Sequence, residues 1–125
     1  SVFVVGHTHM PLIRRLNGTL VVNVGAVGLP FDHDVRAAYG RIELRNGEWC
    51  ADIRRLAYDH VRAERDYSDN GFLDEAGPLA ALILEEHRHG TSYLFQWVEQ
   101  YLQDVLAGHI SVGDAVQRHL ADRRR

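Results

Sequence analysis

The chain contains no lysine: all fourteen of its basic residues are arginine, against seventeen acidic ones, for a net charge of −3. A surface of that balance does not attract a phosphate backbone, so nucleic acid is not expected as a partner except as a substrate. There is one cysteine, Cys50, which rules out an internal disulfide and fits a reducing cytoplasm. No apolar run approaches the roughly eighteen residues that a membrane helix needs, so no membrane association is expected. What remains, 46% hydrophobic and 25% charged over 125 residues, is the composition of an ordinary globular chain with one modest core.

The chemistry is concentrated near the beginning. Ser1-Val2-Phe3-Val4-Val5 is short and almost wholly apolar, the pattern of a strand buried on both faces, and it stops at Gly6 before His7-Thr8-His9-Met10-Pro11. Ligand sites in α/β sheets lie beyond the carboxyl ends of such strands. Neutral imidazole is the commonest metal-binding side chain, and a turn can aim two of them at one small volume. His7 and His9 are therefore candidate metal ligands.

The next residues predict a tight hairpin. Leu12 to Leu16 and Thr19 to Asn23 flank Asn17-Gly18, the dipeptide best suited to a type I′ turn. The second strand runs into Asn23-Val24-Gly25-Ala26-Val27-Gly28-Leu29-Pro30, where two glycines let a loop pass close to another backbone or to a ligand. Asn23, Gly25 and Gly28 are candidates for a substrate-facing loop.

Taken together, Gly6-His7-Thr8-His9 with Met10-Pro11, a hairpin, and Asn23-x-Gly25-x-x-Gly28-x-Pro30 resemble the carboxyl-terminal part of a calcineurin-like metallophosphoesterase, of the small bacterial and archaeal phosphodiesterase type. The resemblance covers about the first sixty residues. It implies an α/β fold, the carboxyl-terminal half of a four-layer αββα sandwich built of mostly antiparallel hairpins followed by about four helices. It implies two divalent metal ions, of manganese, iron, zinc or nickel, with His7 on the second and His9 on the first. The activity implied is hydrolysis of a phosphomonoester or phosphodiester by metal-activated water.

Two departures from the family pattern matter. Ala26 stands where the family usually has serine, and Phe31 where it often has a basic residue. The family's Asp-x-His, Gly-Asp-x-x-Asp and Asn-His-Asp/Glu motifs do not occur; Asp32-His33-Asp34 is out of order and reads as a polar loop. The chain also begins without methionine inside a strand. The expectation is thus a portion of a longer enzyme, with the general acid and the bridging carboxylate outside this sequence and the segment inactive alone. The alternative is a non-catalytic scaffold or interaction protein of the same fold.

Ala37 to Leu44 and Glu48 to Leu56 predict a second hairpin about Asn46-Gly47, extending the sheet begun by the first strand. Trp49-Cys50-Ala51 lies on its return strand, where Cys50 packs. Arg14-Arg15 and Arg54-Arg55 read as exposed strand positions. Asp59 caps a short helix through Arg65, Pro78 opens another that runs to His89 and stops at Gly90, and His87 and His89 near its end could be a second metal site.

From Ser92, residues Tyr93, Leu94, Trp97, Val98, Tyr101, Leu102, Val105 and Leu106 recur at helical spacing and form one apolar face. Ser111 with Asp114 is a capping box for a last helix with Val112, Ala115, Val116 and Leu120 inward. The expected organisation is a phosphoesterase portion over 1–90 and a helical extension over 91–125, which packs on it or forms a homo-oligomer interface. Arg123-Arg124-Arg125 reads as a solvated tail.

Overall fold

The structure, a computed structural model, describes residues 1–123 and is α/β, with five strands followed by five helices. The chain divides into two compact units, one of residues 1–58 and 89–91, the other of 59–88 and 92–123 among those described. Among the described residues no helix is long and apolar enough to cross a membrane.

In the first unit, β1 (Val2–Val5), β2 (Leu12–Leu16) and β3 (Thr19–Asn23) make a three-stranded sheet in the order β1-β3-β2. The β2–β3 pair is the expected hairpin: Asn17 and Gly18 have φ of 48° and 77°, as a type I′ turn requires, and Leu16 faces Thr19. β1 lies parallel to β3, with Val4 opposite Val22 and Val5 opposite Asn23. Strand β3 is thus central, with Leu20 and Val22 almost wholly buried.

Two expectations are corrected. β1 is not buried on both faces: it has one neighbour, and Phe3 and Val4 are 57% and 47% exposed. The second hairpin, β4 (Ala37–Arg45) and β5 (Glu48–Leu56), forms as expected about Asn46-Gly47 but does not extend the first sheet; it is a separate two-stranded sheet. It meets the first sheet by packing, with the β4 backbone at Gly40 so near Val24 that a Cβ there would sit 2.6 Å from Val24 Cγ1. Ala38, 2% exposed, fills the same interface, where a small residue permits close approach.

Side chains alternate along the hairpin, and its outer face is a charged ladder in which Arg41 pairs with Glu43 (2.9 Å) and Asp52 (3.3 Å), Arg45 with Glu43, and Arg54 with Asp52. Cys50 lies half-buried on β5 beside this ladder. The shallow pocket there is lined by Arg41, Glu43, Arg45, Cys50, Ala51, Asp52 and Arg54, and all three of its guanidiniums are already paired with its two carboxylates.

The second unit is helical. Helix α1 (His60–Asp69) is capped by Asp59, whose carboxylate accepts the Arg62 N–H at 2.9 Å. It runs four residues past the expected end at Arg65, because Tyr67 packs edge-on against Phe72 (5.6 Å) and near His87 (5.2 Å). The short α2 (Phe72–Glu75) precedes α3 (Ala80–His89), which follows Pro78 and ends at Gly90, φ 63°.

Helices α4 (Tyr93–Leu106) and α5 (Val112–Asp122) have their expected caps, Ser92 Oγ accepting from Phe95 N and Ser111 Oγ from Asp114 N. Leu82, Tyr93, Trp97, Tyr101, Ala115 and Val116 form the core, with Leu94, Val105, Val112 and Leu120 packed against it. The α4 face is narrower than the spacing suggests, since Val98 and Leu106 are 37% and 72% exposed. Arg123 stacks its guanidinium 4.7 Å over the Tyr93 ring. Arg124 and Arg125, the rest of the basic tail, lie outside the described residues.

Candidate metal-ligand loop

β1 delivers its carboxyl end into a turn closed by the His9 N–H donating to Gly6 O at 3.0 Å. His9 ends that turn with φ 57°, in the left-handed region that histidine visits more readily than most residues. The returning loop after β3 arrives alongside. At Gly25, φ 79°, a Cβ would stand 2.8 Å from Pro11 Cγ and 3.1 Å from the Ala38 Cβ, so only glycine lets the two loops close on one another. Gly28 has no such role, as a Cβ there would meet nothing within 4 Å.

Asn23 ties the two loops together. It is 5% exposed; its Nδ2 donates to Thr8 Oγ1 at 2.7 Å and its Oδ1 accepts the Gly25 N–H at 3.0 Å. The side chain is therefore engaged inside the protein, between the histidine turn and the Gly25 turn.

His9 is held from three directions by residues 29–31. Its Nδ1 lies 2.7 Å from Leu29 O, its carbonyl accepts the Phe31 N–H at 3.2 Å, and its ring stacks on the Phe31 ring, centroids 4.8 Å apart at 29°. A carbonyl oxygen can only accept, so Nδ1 carries the hydrogen and Nε2 of the neutral ring keeps its lone pair. This is how a metal-binding histidine is prepared: the second nitrogen is bonded to a carbonyl, which sets tautomer and ring orientation. His7, one residue upstream of Thr8, is exposed and makes no side-chain hydrogen bond among the described residues.

The donor set is incomplete. Among the described residues, no group of three or more His, Cys, Asp or Glu side chains could hold a metal ion, so His7 and His9 are not joined by a carboxylate, and His87 and His89 are not part of such a group. His87 is buried and stacked on His60 instead, ring centroids 4.0 Å apart. Asp32 is turned to Arg55, with which it forms an ion pair, and Asp34 pairs with Arg36 at 2.6 Å. The Arg36 guanidinium, hydrogen-bonded to Asp34, holds that carboxyl far below the usual carboxylate range.

Sequence reasoning missed Arg55. It was expected at an exposed strand position, yet its side chain is only 15% exposed and it bonds the backbone carbonyls of Asp34 (3.1 Å) and Arg36 (3.3 Å) as well as the Asp32 carboxylate. Thr8 was likewise unremarked; its only signal is its place between the two histidines.

Comparison with known proteins agrees with the motif. The calcineurin-like phosphoesterase superfamily domain matches residues 1–47, the segment from β1 through the β4–β5 turn that contains the whole histidine loop and its partner loop. Neither curated proteins nor solved structures give a match. The first 47 residues thus carry the pattern of that superfamily.

Proposed function

We propose that the protein is a metal-dependent phosphoesterase, hydrolysing a phosphomonoester or phosphodiester, to which this chain contributes His7 and His9 as metal ligands. The observation that carries the reading is His9 itself: Nδ1 is bonded to Leu29 O and the ring stacked on Phe31, which leaves Nε2 to face a metal, inside the segment that matches the superfamily. Divalent metals bound at such a centre polarise a phosphoryl oxygen and activate the attacking water.

The chain's own residues have three tasks in this reading. His9 offers a fixed donor, His7 a mobile one that orders when the metal is bound, and Asn23 fixes the spacing of the turn that carries both. Asn23 works inside the protein, as a strut. The bridging carboxylate and the general acid come from residues other than those described, in the arrangement of an αββα sandwich of which these elements form the carboxyl-terminal part. A single unpaired cysteine suits a cytoplasmic setting.

A second reading, a non-catalytic scaffold of the same fold, is favoured by one observation, the lack of a third metal donor among the described residues. Hydrolysis of an aryl phosphate and an aryl phosphodiester by the intact protein with Mn²⁺ or Zn²⁺ separates the two. The enzyme reading expects turnover that falls by about a hundredfold or more in His9→Ala. Equal turnover in His9→Ala removes His9 from the mechanism, and no turnover with no metal uptake establishes the scaffold.

A further inference from the structure

We propose that Arg55 is a positioning residue for His9, acting across the loop of residues 29–36. The inference rests on the reading of His9 as a metal ligand but is argued from geometry alone. Besides the His9 N–H bond to Gly6 O that closes its own turn, three contacts orient His9, and these come from Leu29 and Phe31: the Leu29 carbonyl on Nδ1, the Phe31 N–H on the His9 carbonyl, and the Phe31 ring on the imidazole. Both contacts made by the imidazole itself come from this loop, so its ring orientation depends on it.

Arg55 fastens the next stretch of the same loop to β5. One terminal nitrogen donates to the carbonyls of Asp34 and Arg36, the other to the carboxylate of Asp32, and Nε stands 3.7 Å from the Asp34 carboxylate. Arg41, Arg45 and Arg54, by contrast, pair only with acids of the hairpin itself, Arg41 and Arg45 with Glu43 and Arg41 and Arg54 with Asp52. Arg55 alone among the hairpin's arginines reaches segments 19 to 23 residues away in sequence.

The clamp is also electrostatically one-sided. Asp32 Oδ1 is buried without a hydrogen-bond partner among the described residues, so this carboxylate relies on Arg55. Removing the guanidinium leaves a half-buried charge uncompensated, and the loop relieves it by moving Asp32 outward toward water. Asp32 is the residue after Phe31, so that movement draws the Phe31 ring off His9. A fork of several donors is needed for this clamp, and a lysine ammonium does not reproduce it.

The test uses the full chain with Arg55→Gln and Arg55→Lys, and Arg54→Gln on the neighbouring charged ladder as control. Long-range ¹⁵N–¹H spectra report the His9 tautomer, and calorimetric titration with Zn²⁺ alone reports the site. The expected result is a shift of His9 from the pure Nδ1–H tautomer to a mixture in Arg55→Gln, Zn²⁺ affinity about tenfold weaker, partial recovery in Arg55→Lys, and no change in Arg54→Gln.

A folded Arg55→Gln with the wild-type tautomer and titration overturns the proposal. Because the tautomer is read without metal, failure of the wild type to bind Zn²⁺ defeats the ligand reading and leaves the positioning test intact. If Arg55→Gln does not fold, Arg55→Lys, which keeps the charge and loses the fork of donors, supplies the same tautomer measurement, and a fully wild-type tautomer there overturns the proposal equally.

Discussion

The buried carboxylate of Glu86, on α3, accepts the backbone N–H of Leu94, in the first turn of α4, at 2.8 Å. The same oxygen takes the Ser92 hydroxyl at 3.1 Å, and that hydroxyl in turn accepts the Phe95 N–H at 3.2 Å. Two of the orphan donors of the helix start are thus satisfied by a side chain from another helix and by the cap residue, at the end where the helix dipole favours negative charge. Glu86 is 2% exposed, so its replacement by leucine strands the Leu94 N–H. The expected loss is about 2–4 kcal/mol in urea unfolding, with faster hydrogen exchange at Leu94; Glu86→Gln, which keeps an acceptor, loses about 1 kcal/mol.

Gly40 is a packing glycine. Its φ is outside the left-handed region, so alanine meets no backbone strain there, but the added Cβ falls 2.6 Å from Val24 Cγ1. Gly40→Ala is expected to destabilise the first unit by about 1–3 kcal/mol through overpacking between the two sheets. Gly40→Ala combined with Val24→Ala recovers part of that loss, a coupling that a double-mutant cycle in urea measures.

Those contrasting outcomes show what was legible in the chain. Asn17-Gly18, Asn46-Gly47, Ser92 and Ser111 act through their immediate neighbours, and every turn and cap they imply is present. Membership of a sheet is not local: nothing between Ala37 and Leu56 records that Gly40 lies against Val24 instead of β4 pairing with the first sheet. At the site, the two histidines and the returning loop were readable from spacing. Arg55 was not, because an arginine beside Arg54 reads as a second solvated charge although alternation turns it to the opposite face, and its partners lie a loop away; nor was the His9–Phe31 stack. His87 lies between Glu86 and Arg88, and only the packing of other helices buries it, whereas His119 follows Val112, Ala115 and Val116 on the inward face of α5.

His119 makes the second unit sensitive to acid. It is 3% exposed, with Nδ1 donating to Gln100 Oε1 at 3.3 Å and its ring edge-on to Tyr93 and Tyr101. Burial pushes its pKa below the ordinary value, and nearby Arg123 adds to the shift while Asp122 opposes it. The unfolded chain therefore takes up a proton on this residue at a pH where the folded chain does not. Its stabilising contribution is complete above about pH 6.5 and is lost as the pH falls from there to the folded pKa, by at most about 1.4 kcal/mol per pH unit. Urea midpoints at pH 7.5 and 5.5 check this: the drop between them is smaller in His119→Gln than in the wild type.

Asn23 and Thr8 are expected to be coupled. Asn23→Ala removes the bond to Thr8 and leaves the Gly25 N–H, in a buried residue, without its acceptor, for a loss of about 1–3 kcal/mol. Thr8→Val removes only the first bond and costs less, since Thr8 is exposed. The two changes combined are less than additive, by about 0.5–1 kcal/mol, if the side-chain bond holds the turn as the structure indicates. Additive losses in urea unfolding would show that it does not.

The two histidines are not held equally, and on the proposed reading of both as metal ligands a titration distinguishes them. His9 has its ring fixed before any metal arrives, by Leu29 O and Phe31, whereas His7 is exposed and unanchored and must lose rotamer freedom on binding. Such ordering costs about 0.5–1.5 kcal/mol for a side chain, so the free energy that His7 returns to the complex is smaller than that of His9. Zn²⁺ titration of the full chain is expected to lose about two- to tenfold more affinity in His9→Ala than in His7→Ala. The ordering itself has a separate expected signature: the His7 ring resonances of the metal-free protein should be those of a mobile side chain and become restricted on Zn²⁺ addition. Equal losses in the two variants would mean that the Leu29 and Phe31 contacts confer no preorganisation on His9.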